Sequence, residues 1–392
     1  MGINLTLFLI FILALVISIY EIPGIVRVVS KLGILDFPNE RSSATKSIPT
    51  LGGIAIFISF IISSTIGLSR YDLPEMKFIV PALVLILFVG VIDDILGSSP
   101  LKKLIFQIIV ACMLVFMAKI RLTNLHGTFG FWDIDVVSGS ILSCFTIIVI
   151  MNAFNLIDGI DGLAAGVTMV IAAVLGGWFY ISGHFSYAVL SFSLVGSVLG
   201  FFYFNVYGTK YKIFMGDTGS LVLGTLIAIL VIQFNEQNID QTQAYAMQSV
   251  PALSFGILSY PLMDLMRVIL IRISYSRHLF HADKNHFHHR LLTLGLSHQL
   301  ATYSILGFNI LFIIAVFYLN RIGFNGLMFY ILAGCILLVI IPAYFIQKRK
   351  LIREDDPVQQ LLMPGTSYEV NSPKKSPGIL SVERIKESNS QL

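Results

Sequence analysis

Four short strings in this chain carry side chains able to handle phosphate and a hard cation. The first is Asp93-Asp94, followed by Lys102, Lys103 and Gln107. Adjacent carboxylates suit an ion such as Mg²⁺, or a coupled pair in which one member takes up a proton. A solvated acidic helix end explains the pair equally well. In the second string, Asn152, Asn155, Asp158 and Asp161 recur every three residues, with Gly159 and Gly162 interleaved. On a helix they would form one polar stripe, and the glycines mark where helix yields to loop. Asn and Asp offer oxygens to a cation and hydrogen bonds to a base or sugar.

The third string is Phe214-Met215-Gly216-Asp217-Thr218-Gly219-Ser220. A carboxylate between glycines, with hydroxyls at a helix start, can hold a cation and cradle phosphate oxygens. The plainer alternative makes Asp217 a helix N-cap. The fourth runs from His281 through Asp283, Lys284, His286, His288 and His289 to Arg290, and six of eight histidines lie between His278 and His298. Its spacing is not the i, i+4 pair of a helical zinc protease, and no cysteine completes a set. Imidazoles beside Arg272, Arg277, Lys284 and Arg290 suit a diphosphate and sugar hydroxyls better.

The elements that position these strings are membrane spans. Hydrophobic residues make up 56% of the 392 and charged residues 12%. Crossing the hydrocarbon core takes about 20 mostly apolar residues, and about eleven such runs occur, from 3–20 to 326–346. The first run has no basic residue ahead of it, so it is expected to be a retained span and not a cleaved signal. Residues 1–346 are thus expected to form an all-α polytopic membrane domain, with 347–392 a flexible cytoplasmic tail. With the N-terminus outside and the C-terminus inside, 21 of the 26 Lys and Arg lie inside, as the positive-inside rule requires. All four strings then fall at the inner surface. That coincidence implies one composite site, with carboxylates for a metal and bases for phosphate, an inventory that fits phosphoryl transfer.

Other classes fit less well. The net charge of +4 reflects the inside bias, and the basic residues are not interleaved with stacking aromatics, so no nucleic-acid partner is expected. Cys112, Cys144 and Cys335 lie in apolar runs as small packing residues. A transporter or lipid flippase would place its carboxylates near span midpoints; here they lie at span ends.

Asp93-Asp94 with Lys103, the string from Asn152, Phe-Met-Gly-Asp-Thr-Gly-Ser and His286-Phe-His-His-Arg290 closely resemble the polyprenyl-phosphate N-acetylhexosamine-1-phosphate transferases, the WecA/MraY group. Asp36-Phe-Pro-Asn-Glu-Arg41 and Pro49-Thr-Leu-Gly-Gly53 extend the match over about residues 20–346. The resemblance implies transfer of a sugar-1-phosphate from a UDP-sugar to a polyprenyl phosphate in a bacterial cytoplasmic membrane, releasing UMP, with Mg²⁺ or Mn²⁺. It makes Asp217 the leading metal ligand with Asn155 second. Asp93 or Asp94 would place or deprotonate the lipid phosphate, and Lys103 would steady its charge. Asn152, Asp158 and Asp161 would line the nucleotide pocket, with His286, His288, His289 and Arg290 on the sugar-diphosphate side. His-x-His-His and eleven spans resemble the WecA side, which implies UDP-N-acetylglucosamine (UDP-GlcNAc) as donor. A UDP-muramoyl-pentapeptide or another UDP-N-acetylhexosamine is the alternative. Ala44 stands where the family often has His. Assembly is open, a homodimer included.

Overall fold

The computed structural model describes residues 2–36, 47–243, 245–274 and 286–354. Most of Asp36–Arg41, Ala44, Arg277, His281–Asn285 and the tail from residue 355 lie outside the described residues.

The long apolar runs become helices. These are α1 (Ile3–Leu32), α2 (Gly52–Leu68), α3 (Met76–Leu96), α4 (Pro100–Cys112), α5 (Val136–Ile157), α6 (Leu163–Ile181), α7 (Phe185–Tyr207) and α8 (Gly216–Glu236). They continue as α9 (Val250–Ile257), α10 (Ser259–Ser274), α11 (Phe287–Thr293), α12 (His298–Tyr318) and α13 (Gly323–Glu354). A π-helical turn, Met113–Met117, prolongs α4. Two antiparallel ribbons complete the set: β1 (Leu35–Asp36) with β2 (Ile48–Pro49), and β3 (Asn124–Thr128) with β4 (Phe131–Asp133). In hydrocarbon, backbone groups must be satisfied within the segment, which leaves the helix as the form for these runs. Local signals fix several starts. The Ser99 hydroxyl accepts from Lys102 N–H ahead of Pro100, Asp135 accepts from Val137 and Ser138 N–H, and Ser297 accepts from Leu300 N–H.

Among the described residues, eight helical segments are long and apolar enough to cross a membrane, or nine if α9 and α10 count as one bent span. The chain is a multi-pass, all-α membrane protein. One of the eight, His298–Ile341, has 44 residues, about 66 Å of helix and twice a bilayer core. It breaks at Leu319–Ile322, and Phe312 of α12 stacks on Tyr330 of α13 with ring centroids 5.4 Å apart, so the segment folds back on itself. Helix α8 is buried along almost its whole length and packs against α2, α3, α5, α6 and α9. A helix apolar on all sides belongs in the centre.

In sequence, the apolar run 249–263 reads as one span followed by an inner loop over 264–302, and the structure corrects this. The run turns by 75° at Leu258, and α10 carries Asp264, Arg267 and Arg272 as buried helical residues, not as loop residues.

Candidate active site

The two carboxylates at the end of α3 part company. Asp94 faces the start of α8. Its Oδ1 accepts from Asp217 N–H at 2.8 Å, and its Oδ2 accepts from Thr218 N–H at 3.0 Å and the Thr218 hydroxyl at 2.6 Å. First-turn amides have no acceptor inside their own helix, so a carboxylate from α3 caps α8. Asp217 is therefore not the cap, and its side chain faces another way. Gly216 makes the approach possible: its φ is +72°, and a Cβ there would lie 2.8 Å from Asp94 Cγ. Gly216→Ala is expected to lower melting temperature and activity together, since left-handed backbone alone costs a side-chain-bearing residue about 1–2 kcal/mol. An unchanged melting curve in detergent would contradict that.

Asp93 faces Lys103. Its Oδ1 accepts from Ser98 N–H at 2.7 Å and the Ser98 hydroxyl at 2.5 Å, and its Oδ2 lies 2.8 Å from Lys103 Nζ. The same ammonium pairs with Asp217 Oδ2. The other oxygen of Asp217 accepts from Asn155 Nδ2 at 2.6 Å, and Asn155 also donates to Ser220 Oγ at 3.0 Å. Residues from α3, α4, α5 and α8 thus meet at one point. Asn152, one turn deeper, makes a reciprocal amide pair with buried Gln107, at 3.0 and 3.4 Å, tying α4 to α5.

Helix α5 stops at Ile157, as the glycines foretell. Half-buried Asp158 follows. Crowding by protein, then the charges of Asp217, Asp94 and Asp161, raise its carboxyl well above the usual carboxylate range. Asp161 pairs with Lys212 Nζ at 2.6 Å. Buried Asn205 accepts from Gly162 N–H at 2.6 Å and donates to the Ile213 carbonyl at 2.9 Å. One amide therefore fixes the loop of the second string to the approach of the third. Pro49-Thr-Leu-Gly-Gly53 docks on that approach too: Phe214 N–H donates to the Pro49 carbonyl at 2.8 Å, and Gly52 N–H to the Phe214 carbonyl at 2.9 Å.

The histidine string enters through Asp264. This fully buried carboxylate lies 2.9 Å from His286 Nδ1 and accepts from Phe287 N–H at 2.8 Å, so it holds the start of α11. His288 is buried and stacks on His286 with ring centroids 5.4 Å apart; its centroid lies 4.5 Å from that of His289. It also packs on Gly159, where a Cβ would come within 2.6 Å of its Cε1. Burial pushes the His288 imidazole down to about 3, so it is neutral at physiological pH. Arg290 is half-buried on the same short helix. Asp264→Asn keeps an acceptor for Phe287 but removes the charge facing His286. A charge-assisted bond is worth about 1.5–3 kcal/mol, which predicts roughly a ten- to hundredfold fall in kcat/KM if it persists in the transition state. Wild-type kinetics would discount the clamp.

Among the described residues, no three His, Cys, Asp or Glu side chains form a self-sufficient metal-holding group. The donor set still fits a cation that completes its shell with substrate oxygens. Asp217 and Asn155 abut, Asp93 and Asp217 share Lys103, and Asp158 lies close enough to feel the charges of Asp217 and Asp94. Mg²⁺ is commonly held by one or two carboxylates plus substrate phosphates and water.

Residues 76–235 match the family model of glycosyl transferase family 4. The chain is 30% identical over 278 residues to the undecaprenyl-phosphate alpha-N-acetylglucosaminyl 1-phosphate transferase of Salmonella typhi, covering 70% of this chain and 73% of that one. The Escherichia coli K12 protein of the same name gives 30% over 279 residues, with the same coverage. A Bacillus subtilis protein named a probable undecaprenyl-phosphate N-acetylglucosaminyl 1-phosphate transferase gives 31% over 292 residues, covering 74% and 78%. The chain belongs to glycosyl transferase family 4. Within this family 4 member, the matched segment spans α3 to α8 and holds Asp93, Asp94, Lys103, the second string and Asp217. The Asp264 clamp and the histidine string lie beyond it. Sequence reasoning missed Asp264, Asn205 and Ser98. The signal for Asp264 is a lone carboxylate inside Pro261-Leu-Met-Asp-Leu-Met266, where burial is costly without a partner.

Proposed function

We propose that this transferase moves N-acetylglucosamine-1-phosphate from UDP-GlcNAc to undecaprenyl phosphate, releasing UMP, as the first membrane step of a cell-envelope polysaccharide. One observation carries the reading: Lys103 joins Asp93 to Asp217, whose other oxygen meets Asn155. The names of the relatives supply the sugar and the lipid. An oxygen of the lipid phosphate attacks the sugar-bearing phosphorus, the bond to the bridging oxygen breaks, and UMP leaves with that electron pair. Positioning supplies most of the catalysis in such transfers.

Asp217 and Asn155 would hold Mg²⁺ or Mn²⁺. When bound, the cation offsets the diphosphate charge and the charge that develops on the leaving UMP. Asp93 places the lipid phosphate and accepts its proton, and Lys103 steadies its charge. Asp94 acts through the start of α8. Asn152, Asp158 and Asp161 line the nucleotide pocket, and His286, His289 and Arg290 hold the sugar-diphosphate side, with His288 packed on Gly159 behind them to set the start of α11.

For topology we adopt about eleven spans: the eight apolar segments with His298–Ile341 taken twice, the bent α9–α10 pair, and the 17-residue α2. The N-terminus lies outside and the C-terminus inside, which places the site at the cytoplasmic face of a bacterial inner membrane. The tail expected from residue 347 starts later, because α13 continues to Glu354. Deleting 355–392 is expected to leave UMP release within about twofold; a collapse in a folded variant would contradict this.

UMP release by purified protein with undecaprenyl phosphate and Mg²⁺ tests the donor. Release with UDP-GlcNAc and none with UDP-muramoyl-pentapeptide is expected. Release with the second alone would overturn the donor assignment.

A further inference from the structure

The β3–β4 hairpin lies on the face of the bundle opposite the candidate site. Helix α4 begins beside Lys103 and α5 ends beside Asn155, while the hairpin joins their far ends. The hairpin is held to the centre of the bundle. Thr123 N–H and hydroxyl donate to the Glu236 carboxylate at 2.8 and 2.7 Å, and His126 Nε2 lies 3.1 Å from the Asn235 carbonyl at the end of α8. Asn124 Nδ2 donates to Asp133 at 2.7 Å across the ribbon, and Ile134 N–H to the Thr123 carbonyl at 2.9 Å.

The aromatic residues of the hairpin are bare. Phe129 is 82% exposed, Phe131 62% and Trp132 63%. A Cβ on Gly127 would meet the Trp132 ring at 3.0 Å, so the indole lies across the ribbon. Phe129 stands edge-on to Phe324 at the start of α13, with ring centroids 5.7 Å apart. The chain then enters α5 through exposed Val136 and Val137, and Val137, Ile141 and Phe145 continue as one uncharged, exposed stripe along that helix. On a membrane span such a stripe faces acyl chains. The hairpin aromatics lie where the stripe ends, and the end of a span is where Trp collects at membrane–water boundaries. The two hairpin-side carboxylates are taken up locally, Asp133 by Asn124 and Asp135 as the cap of α5, while the basic residues Lys119 and Arg121 lie at the other end of the connection, before β3.

We propose that the β3–β4 hairpin is an interfacial anchor, with Phe129, Phe131 and Trp132 seated among the lipid headgroups and upper acyl chains of the leaflet opposite the active site. A water-soluble partner would not account for the exposed apolar stripe from Val137 to Phe145 that runs on from the hairpin along a helix long and apolar enough to span. A second copy of the chain is the competing occupant.

The chain has two tryptophans, Trp132 and buried Trp178. The full-length Trp178→Phe variant therefore reports on Trp132 alone. Should that variant fail to fold, the difference between wild type and Trp132→Phe gives the same signal. In phosphatidylcholine vesicles, the Trp132 emission is expected to be blue-shifted. Lipids brominated near the headgroup end of the chain should remove about half of it or more. Deeper bromines should remove less, and aqueous iodide little. Strong quenching by iodide with none from brominated lipid would overturn the proposal. So would resistance to both quenchers that disappears on dilution into excess lipid, the signature of a contact between copies.

Discussion

Asp217→Asn is expected to abolish transfer in a protein that still folds. Asp217 Oδ2 pairs with Lys103, and Oδ1 meets Asn155. The amide of Asn is the same size, so packing at the head of α8 survives. It carries no charge, however, so Lys103 loses one of its two carboxylates and the proposed cation loses its leading ligand. Removing charge stabilisation of this kind costs about 10²–10³-fold for a single neutral donor, and more where a metal is held. UMP release below about one thousandth of wild type, with an unchanged melting curve, is the expected result. Turnover near wild type would remove Asp217 from the metal site.

The second large effect separates the adjacent aspartates. Asp94→Asn should lower both stability and activity, and Asp93→Asn chiefly activity. Asp94 accepts three hydrogen bonds from the first turn of α8. An Asn there has one oxygen and must turn its amide N–H toward other N–H donors, and each buried donor left unsatisfied costs about 1–3 kcal/mol. The head of α8 then shifts, Asp217 moves with it, and transfer is expected to fall by about two to three orders of magnitude, since small misplacements of catalytic groups are that costly. Asp93→Asn keeps an oxygen for Ser98, and loses the charge facing Lys103 together with the proposed proton acceptor. Melting and UMP-release assays on both variants decide the matter. Equal melting temperatures for the two would show that Asp94 does not cap α8.

These roles mark where the sequence stops speaking. Residues i and i+1 on a helix point about 100° apart, so Asp93 and Asp94 must face different neighbours, but only the packing of α8 against α3 tells which. The plainer reading of Asp217 as an N-cap fails for the same reason: the cap comes from 123 residues away. Composition sufficed for the helices, because bilayer-length apolar runs leave the backbone little choice. The end of α5 near Gly159 was legible from its glycines. The bend at Leu258 was masked by apolar composition continuing through it, although Gly256 and Pro261 bracket the break. That continuity also hid Asp264 in what reads as a loop. His288 shows the limit of spacing: the string groups His286, His288 and His289 on one side of the substrate, yet His288 lies buried on Gly159 and His286 is tied to Asp264.

The central claim is that phosphate travels with the sugar. UDP-GlcNAc labelled with ³²P on the sugar-bearing phosphorus, incubated with the full-length protein, undecaprenyl phosphate and Mg²⁺, tests it directly. Label moving into the organic phase with the lipid, matched by equal UMP in the aqueous phase, is the predicted result. Label staying in the aqueous phase as UDP while sugar appears on the lipid would mean transfer of the sugar alone, and would contradict the account.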